Sequence, residues 1–179
     1  MRILITGGDH VGKDSLARAL TRVYPAYDYH ISSSRLFAES VDAWKDGRDL
    51  DKWWAERRNH REEWIKQFDL LRSRYRPAIF ATSLFACGAS IVTGLRFTSE
   101  LIDLLTSEYR PDIILWCRYT QQQEPGPDIL TLDLTTQLGA IADTPVLVVW
   151  SDQQAQLIHT LIMRYLNDPI EDMTHEQSE

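Results

Sequence analysis

Short apolar runs recur along the chain, separated by stretches in which apolar residues repeat every three or four positions. The first run, residues 3–6, is bounded by glycine and reads as a parallel strand buried on both faces. Over residues 13–23, Leu16, Ala19, Leu20 and Val23 share one helical face, and Pro25 ends the helix. Residues 27–31 read as a second strand, followed by the polar turn Ser32, Ser33, Ser34, Arg35.

Residues 36–84 carry no strand signal. They read as charged helices with Trp44, Trp53, Trp54 and Trp64 interspersed and breaks at residues 45–49 and at Arg76 and Pro77. Ile79, Phe80 and Leu84 then face inward. Strand character returns at residues 90–93 and leads to Gly94, Leu95 and Arg96. Thr98 or Ser99 is placed to cap a helix with Glu100 in its first turn and Leu101, Ile102, Leu104 and Leu105 as its apolar face. Residues 112–117 form a strand ending at Arg118, and residues 121–127 a loop. Residues 129–134 suit a short strand or extended segment, and residues 135–142 a short helix. Residues 145–150 are a buried strand, after which Asp152 caps a helix striped by Leu157, Ile158, Leu161, Ile162, Tyr165 and Leu166. The acidic tail beyond residue 168 is expected to fray. This alternation predicts an α/β fold: three layers, α/β/α, around a mainly parallel five-stranded sheet with right-handed crossovers. Ligands of such sheets collect at the C-terminal ends of the strands.

Length and composition add bounds. A chain of 179 residues, 44% apolar and 25% charged, suits one globular domain, 1–179. No apolar run reaches membrane-spanning length, and no segment after Met1 has the form of a signal peptide, so a cytoplasmic protein is expected. The two cysteines, Cys87 and Cys117, lie in apolar surroundings and are expected to be buried thiols in a reducing compartment. A net charge of −7 disfavours broad contact with a nucleic-acid backbone. The charge is uneven, however: ten of the nineteen Lys and Arg residues fall between residues 45 and 76, and only Arg164 follows Arg118. Anion handling is therefore expected in the first two-thirds of the chain.

The sharpest chemical signal is GGDHVGKDS, residues 7–15, set between the first strand and the first helix. Read as G-x-x-x-x-G-K it is a phosphate-binding loop. Glycines let backbone N–H groups curl around a polyphosphate, Lys13 reaches the β- and γ-phosphates, and the helix N-terminus adds partial positive charge. Gly7, Gly8, Asp9, His10, Val11, Gly12, Lys13, Asp14 and Ser15 are the nucleotide-binding candidates. Asp14 stands where a serine or threonine usually holds Mg²⁺, and Ser15 follows it.

Taken with its surroundings, this loop resembles that of P-loop nucleotide kinases, in particular the phage-type deoxynucleoside monophosphate kinases, whose loop also ends Gly-Lys-Asp. Residues 92–100 (VTGLRFTSE) are similar to that family's strand ending Asp-x-Arg with a glutamate four residues later, although Gly94 replaces the aspartate. Animal-type phosphomevalonate kinases share the loop variant. The resemblance implies a P-loop kinase fold, a helical acceptor-binding insertion over residues 36–86 and a reduced lid over residues 119–135, which carries no arginine. It implies phosphoryl transfer from ATP, with Mg²⁺, to a (deoxy)nucleoside monophosphate or a related modified nucleotide. Lys13, Arg96 and Asp14 are then the catalytic candidates, Asp14 and Ser15 the metal ligands, Arg35, Arg61, Arg72 and Arg96 the acceptor ligands, and Arg118 the lid-like arginine. Guanidinium forks suit phosphate, and Arg35 and Arg96 directly follow strands. The alternative acceptor is a 5-hydroxymethylpyrimidine (hydroxymethyluracil) in DNA, as in phage DNA modification; the alternative of another class is a non-catalytic nucleotide-binding module. The resemblance leaves open a homodimer, implies no membrane partner, and places a phage-encoded chain in the host cytoplasm.

Overall fold

The computed structural model describes residues 1–8, 11–24, 27, 30–37, 59, 61–118, 130–150 and 155–167. Its strands are β1 (Ile3–Gly7), β2 (His30–Ser32), β3 (Ile91–Thr93), β4 (Ile113–Arg118) and β5 (Val146–Trp150). The helices are α1 (Lys13–Val23), α2 (Ser33–Phe37), α3 (Arg61–Arg74), α4 (Ile79–Ala86), α5 (Thr98–Leu105), α6 (Leu132–Ile141) and α7 (Ala155–Asn167). Four strands form an all-parallel sheet in the order β3-β1-β4-β5, and the three-residue β2 extends it along β3.

Alternation along β1 builds the layers. Ile3 and Ile5 pack with Leu16, Ala17 and Leu20 of α1 and with Ile158 and Ile162 of α7. Leu4 faces the other way, into Ala81, Leu84 and Phe85 of α4 and Leu101, Leu104 and Leu105 of α5. A strand covered on both faces needs apolar residues at consecutive positions, which is why Ile3, Leu4 and Ile5 are all fully buried. A satellite aromatic cluster of Phe37, Trp64 and Phe80, with Phe68 against it, joins α2, α3 and α4. Trp64 is thus a core residue; Trp44, Trp53 and Trp54 lie outside the described residues.

Several boundaries differ from expectation. The Leu130, Leu132, Leu134 alternation suggests a strand, yet Thr131 begins a helix, its Oγ1 accepting from Leu134 N at 3.2 Å. Capping with Asp133 in the first turn prevails over a three-residue period-two signal. Phe97, not Thr98 or Ser99, occupies the cap position of α5, and Glu100 supplies the hydrogen bonds. The apolar stripes are narrower than their periodicity suggests: Val23, Ile102 and Leu157 are about half exposed. Cys117 is buried, but Cys87 is exposed; both are free thiols. The expected helix stop at Pro25, the break at residues 45–49, the loop at 121–127, the Asp152 cap and the tail lie outside the described residues. Among the described residues no helix is long and apolar enough to cross a membrane.

Candidate nucleotide-binding site

The C-terminal ends of β2, β3, β1 and β4 lie side by side and bring Lys13, Asp14, Arg35, Arg96 and Arg118 of the sequence-predicted residues to one edge of the sheet. At the end of β1, Gly7 has φ +132°, and a Cβ there would stand 2.3 Å from the Cys117 carbonyl oxygen. Only glycine lets the loop leave β1 this close to β4. The loop returns at Gly12, which caps α1 in the left-handed region (φ 80°) and leaves the helix without a side-chain cap. A helix start without a side-chain cap is of the kind that can receive an anion. Lys13 lies back across the loop, its Nζ donating to the carbonyl oxygens of Gly7 (3.1 Å) and Gly8. Val11 is buried beneath the loop and Ser15 is exposed, whereas Asp9 and His10 lie outside the described residues.

Asp14 turns towards the neighbouring strand. Its Oδ1 accepts a 2.6 Å hydrogen bond from Oγ1 of Thr93, the last residue of β3. The carboxylate of the loop is thus anchored at the end of the strand whose next position is Gly94. The geometry accounts for that glycine. Gly94 has φ +104°, and a Cβ on it would approach Ser33 Oγ to 2.3 Å. Ser33 is buried and fills the space that an aspartate side chain would leave through. Thr93 and Ser33 escape a sequence search; the available signal for Thr93 was a polar residue closing an otherwise apolar strand.

Beyond β3 the backbone of residues 95–97 is held on several sides. Thr6 Oγ1 donates to Leu95 O (3.1 Å), Arg96 N and Phe97 N donate to Glu100 Oε2 (2.9 and 3.1 Å), and Leu130 N donates to Arg96 O (2.8 Å). The Arg96 side chain is exposed on this fixed base. Arg35 follows β2, its backbone N donating to Ser32 Oγ (3.1 Å). Arg118 ends β4, with its Nε buried and without a hydrogen-bond partner among the described residues. Arg61 opens α3, and its side chain lies outside the described residues. Arg72 does not join this rim. Its guanidinium bonds Glu100 Oε1 at 3.0 Å and Asp69, and lies 4.3 Å from the Phe97 ring centroid.

Among the described residues, the edge offers the Lys13 ammonium, the Asp14 carboxylate and arginines that follow separate strand ends. No cluster of three or more His, Cys, Asp or Glu suited to a metal ion occurs among the described residues. The nearby Cys117 thiol is pushed up to about 11 by burial, against the opposing pull of Lys13, so it stays protonated and is no nucleophile at neutral pH. Neither a scan against protein-family models nor a search of curated proteins finds a match to this chain.

Proposed function

We propose that this chain is a nucleotide kinase-type phosphotransferase on a P-loop kinase fold, moving the γ-phosphate of ATP to a (deoxy)nucleoside monophosphate or a related modified nucleotide. The observation that carries this reading is the GGDHVGKDS stretch leaving a parallel strand and opening an uncapped helix, with Lys13 folded over the loop. Residues 36–86 are the acceptor-binding insertion and residues 119–135 the reduced lid.

The residues fit both a polyphosphate and a divalent cation. The N–H groups at the start of α1 and the Lys13 ammonium match phosphate oxygens, and a single fixed carboxylate is what Mg²⁺ needs when phosphates and water fill its other positions. Bound Mg²⁺ would supply charge neutralisation on the transferred phosphoryl group. Asp14 is the carboxylate that takes over from the one missing at Gly94: the Thr93 hydroxyl holds one of its oxygens and leaves the other for the metal or a metal-bound water. Ser15 is the second metal-side residue. Arg96 and Arg35 orient the acceptor from adjacent strand ends, and Arg118 reaches the transferring group from β4. Phosphoryl transfer asks mainly for such positioning and charge, with little covalent help from the protein.

Labelled ATP and Mg²⁺ offered with the four common deoxynucleoside monophosphates, hydroxymethyl-dUMP and hydroxymethyluracil-containing DNA test the assignment. Label on a free monophosphate supports it. Label on DNA alone moves the acceptor to the polymer, and nucleotide binding without transfer to any acceptor reduces the chain to a binding module.

A further inference from the structure

We propose that Glu100 and Arg72 are positioning residues for Arg96, and that through them helix α3 sets how well the acceptor rim is formed. The inference builds on the kinase reading above for its activity arm, but its structural arm stands without it.

Glu100 is buried, and both of its carboxylate oxygens are engaged in opposite directions. Oε2 receives the N–H groups of Arg96 and Phe97, as a glutamate in the first turn of a helix commonly does. Oε1 receives Arg72 from α3, twenty-eight positions earlier in the chain. The pair is largely removed from water, with side chains 16% and 9% exposed. A local cap has no need of a buried cation. Removing Arg72 would leave an uncompensated buried charge on the carboxylate that holds the rim. Arg72 also covers the ring of Phe97, so one guanidinium braces residue 97 through both its backbone partner and its side chain.

The placement gives this bracing a consequence. Leu95 O is held by Thr6 of β1, Arg96 O by Leu130 at the far end of residues 119–129, and Arg96 N by Glu100. Arg96 is the one long cation carried on that fixed stretch, and its side chain is exposed. A guanidinium fork binds phosphate well only if its backbone is preset. The helix that braces it, α3, also carries Arg61 and is otherwise fastened through Trp64, Phe68 and Leu71 to the satellite aromatic cluster. Movement of α3 towards or away from an acceptor therefore passes to Arg96 through Arg72 and Glu100.

The test compares Arg72→Met, Glu100→Gln and Arg72→Lys in the full chain by amide hydrogen exchange and by kinetics. The acceptor is whichever deoxynucleoside monophosphate the wild type phosphorylates fastest. Arg72→Met is expected to speed exchange at the Arg96 and Phe97 amides at least about fivefold although it touches neither amide. It should also raise acceptor KM about tenfold, with kcat within about twofold and donor affinity unchanged. Glu100→Gln, which keeps an oxygen for the two amides but drops the charge, should move both readouts the same way; Arg72→Lys should recover part of each. Unchanged exchange at Arg96 and Phe97 in Arg72→Met overturns the inference, and a raised KM alongside it would make Arg72 a direct acceptor ligand instead. If no monophosphate is phosphorylated by the wild type, the kinase reading fails, while the exchange arm still decides the coupling.

Discussion

Residues 7–15 hold their chemistry in one unbroken stretch, whereas the rim opposite gathers Arg35, Arg96 and Arg118 from the ends of different strands. The loop is shaped by its own backbone. Gly7 sits against the Cys117 carbonyl, Gly12 caps the helix, and Lys13 bonds the carbonyls of Gly7 and Gly8. The rim depends more on remote contacts: beside the local cap from Glu100, the backbone around Arg96 is held by Thr6 and Leu130 from distant parts of the chain. Changes in the loop should therefore remove chemistry and spare the fold, while changes at the rim should alter acceptor handling in degrees.

The largest expected effect is in the loop. Lys13→Ala should lower transfer about 10³-fold or more, with a melting temperature within a few degrees of wild type; full transfer by this variant would remove the lysine from the mechanism. Next comes Gly94→Asp, which sets a carboxylate directly after β3. The backbone at φ +104° and the Ser33 hydroxyl 2.3 Å from the new Cβ oppose it. A cost of roughly 1–3 kcal/mol from the strained backbone alone is expected, visible as a melting temperature several degrees lower, with no gain in rate. A variant as stable as the wild type and faster would show that the position was open after all.

Thr93→Val is the finer cut, since it removes one hydroxyl and keeps the buried volume. It should weaken the apparent Mg²⁺ affinity up to about tenfold through loss of the Asp14 anchor, read as a shifted Mg²⁺ titration of transfer. An unshifted curve would mean that Asp14 needs no help from β3.

The smallest expected effect lies away from the site. Arg76 makes paired bonds to Asp103, whose carboxylate also receives the Ala78 N–H. Hydrogen bonding to Arg76 holds the Asp103 carboxyl below the usual range, although burial pushes the other way. A carboxyl depressed in the folded state contributes stability above its unfolded pKa, about 3.9, and loses it as pH falls through the folded value. Arg76→Ala should therefore lower stability at neutral pH and flatten its decline in acid, measured by urea unfolding across pH. Since Arg76 is 37% exposed, the effect should be modest. Parallel pH profiles for the two proteins would count against the pair.

How much of this was legible in sequence follows the same division. The strands at residues 3–7 and 113–118 announce themselves, because burial on both faces leaves no polar position inside a short run. The run at 145–150 reads as equally buried, yet β5 is the edge strand and leaves Val148 and Trp150 exposed, with Val149 alone buried. The glycines of the loop are legible because Gly7 and Gly12 stand where the backbone takes positive φ. Start of α6 was hidden by three alternating leucines that imitate a strand, and only Thr131 and Asp133 mark it. The rim was half legible. Strand-end arginines could be named, but Arg72 could not be distinguished from them, because its partner Glu100 is twenty-eight positions away. Thr93 and Ser33 were illegible for the same reason: each matters through a contact with a residue far along the chain, Asp14 in one case and Gly94 in the other.

The claim on which the rest turns is that Asp14, anchored by Thr93, serves as the fixed acid that Gly94 cannot provide. The Mg²⁺ dependence of phosphoryl transfer in Asp14→Ala tests it most directly. The half-saturating Mg²⁺ concentration should rise at least about tenfold, with ATP binding in the absence of metal unchanged. A titration curve that overlays the wild type would contradict it.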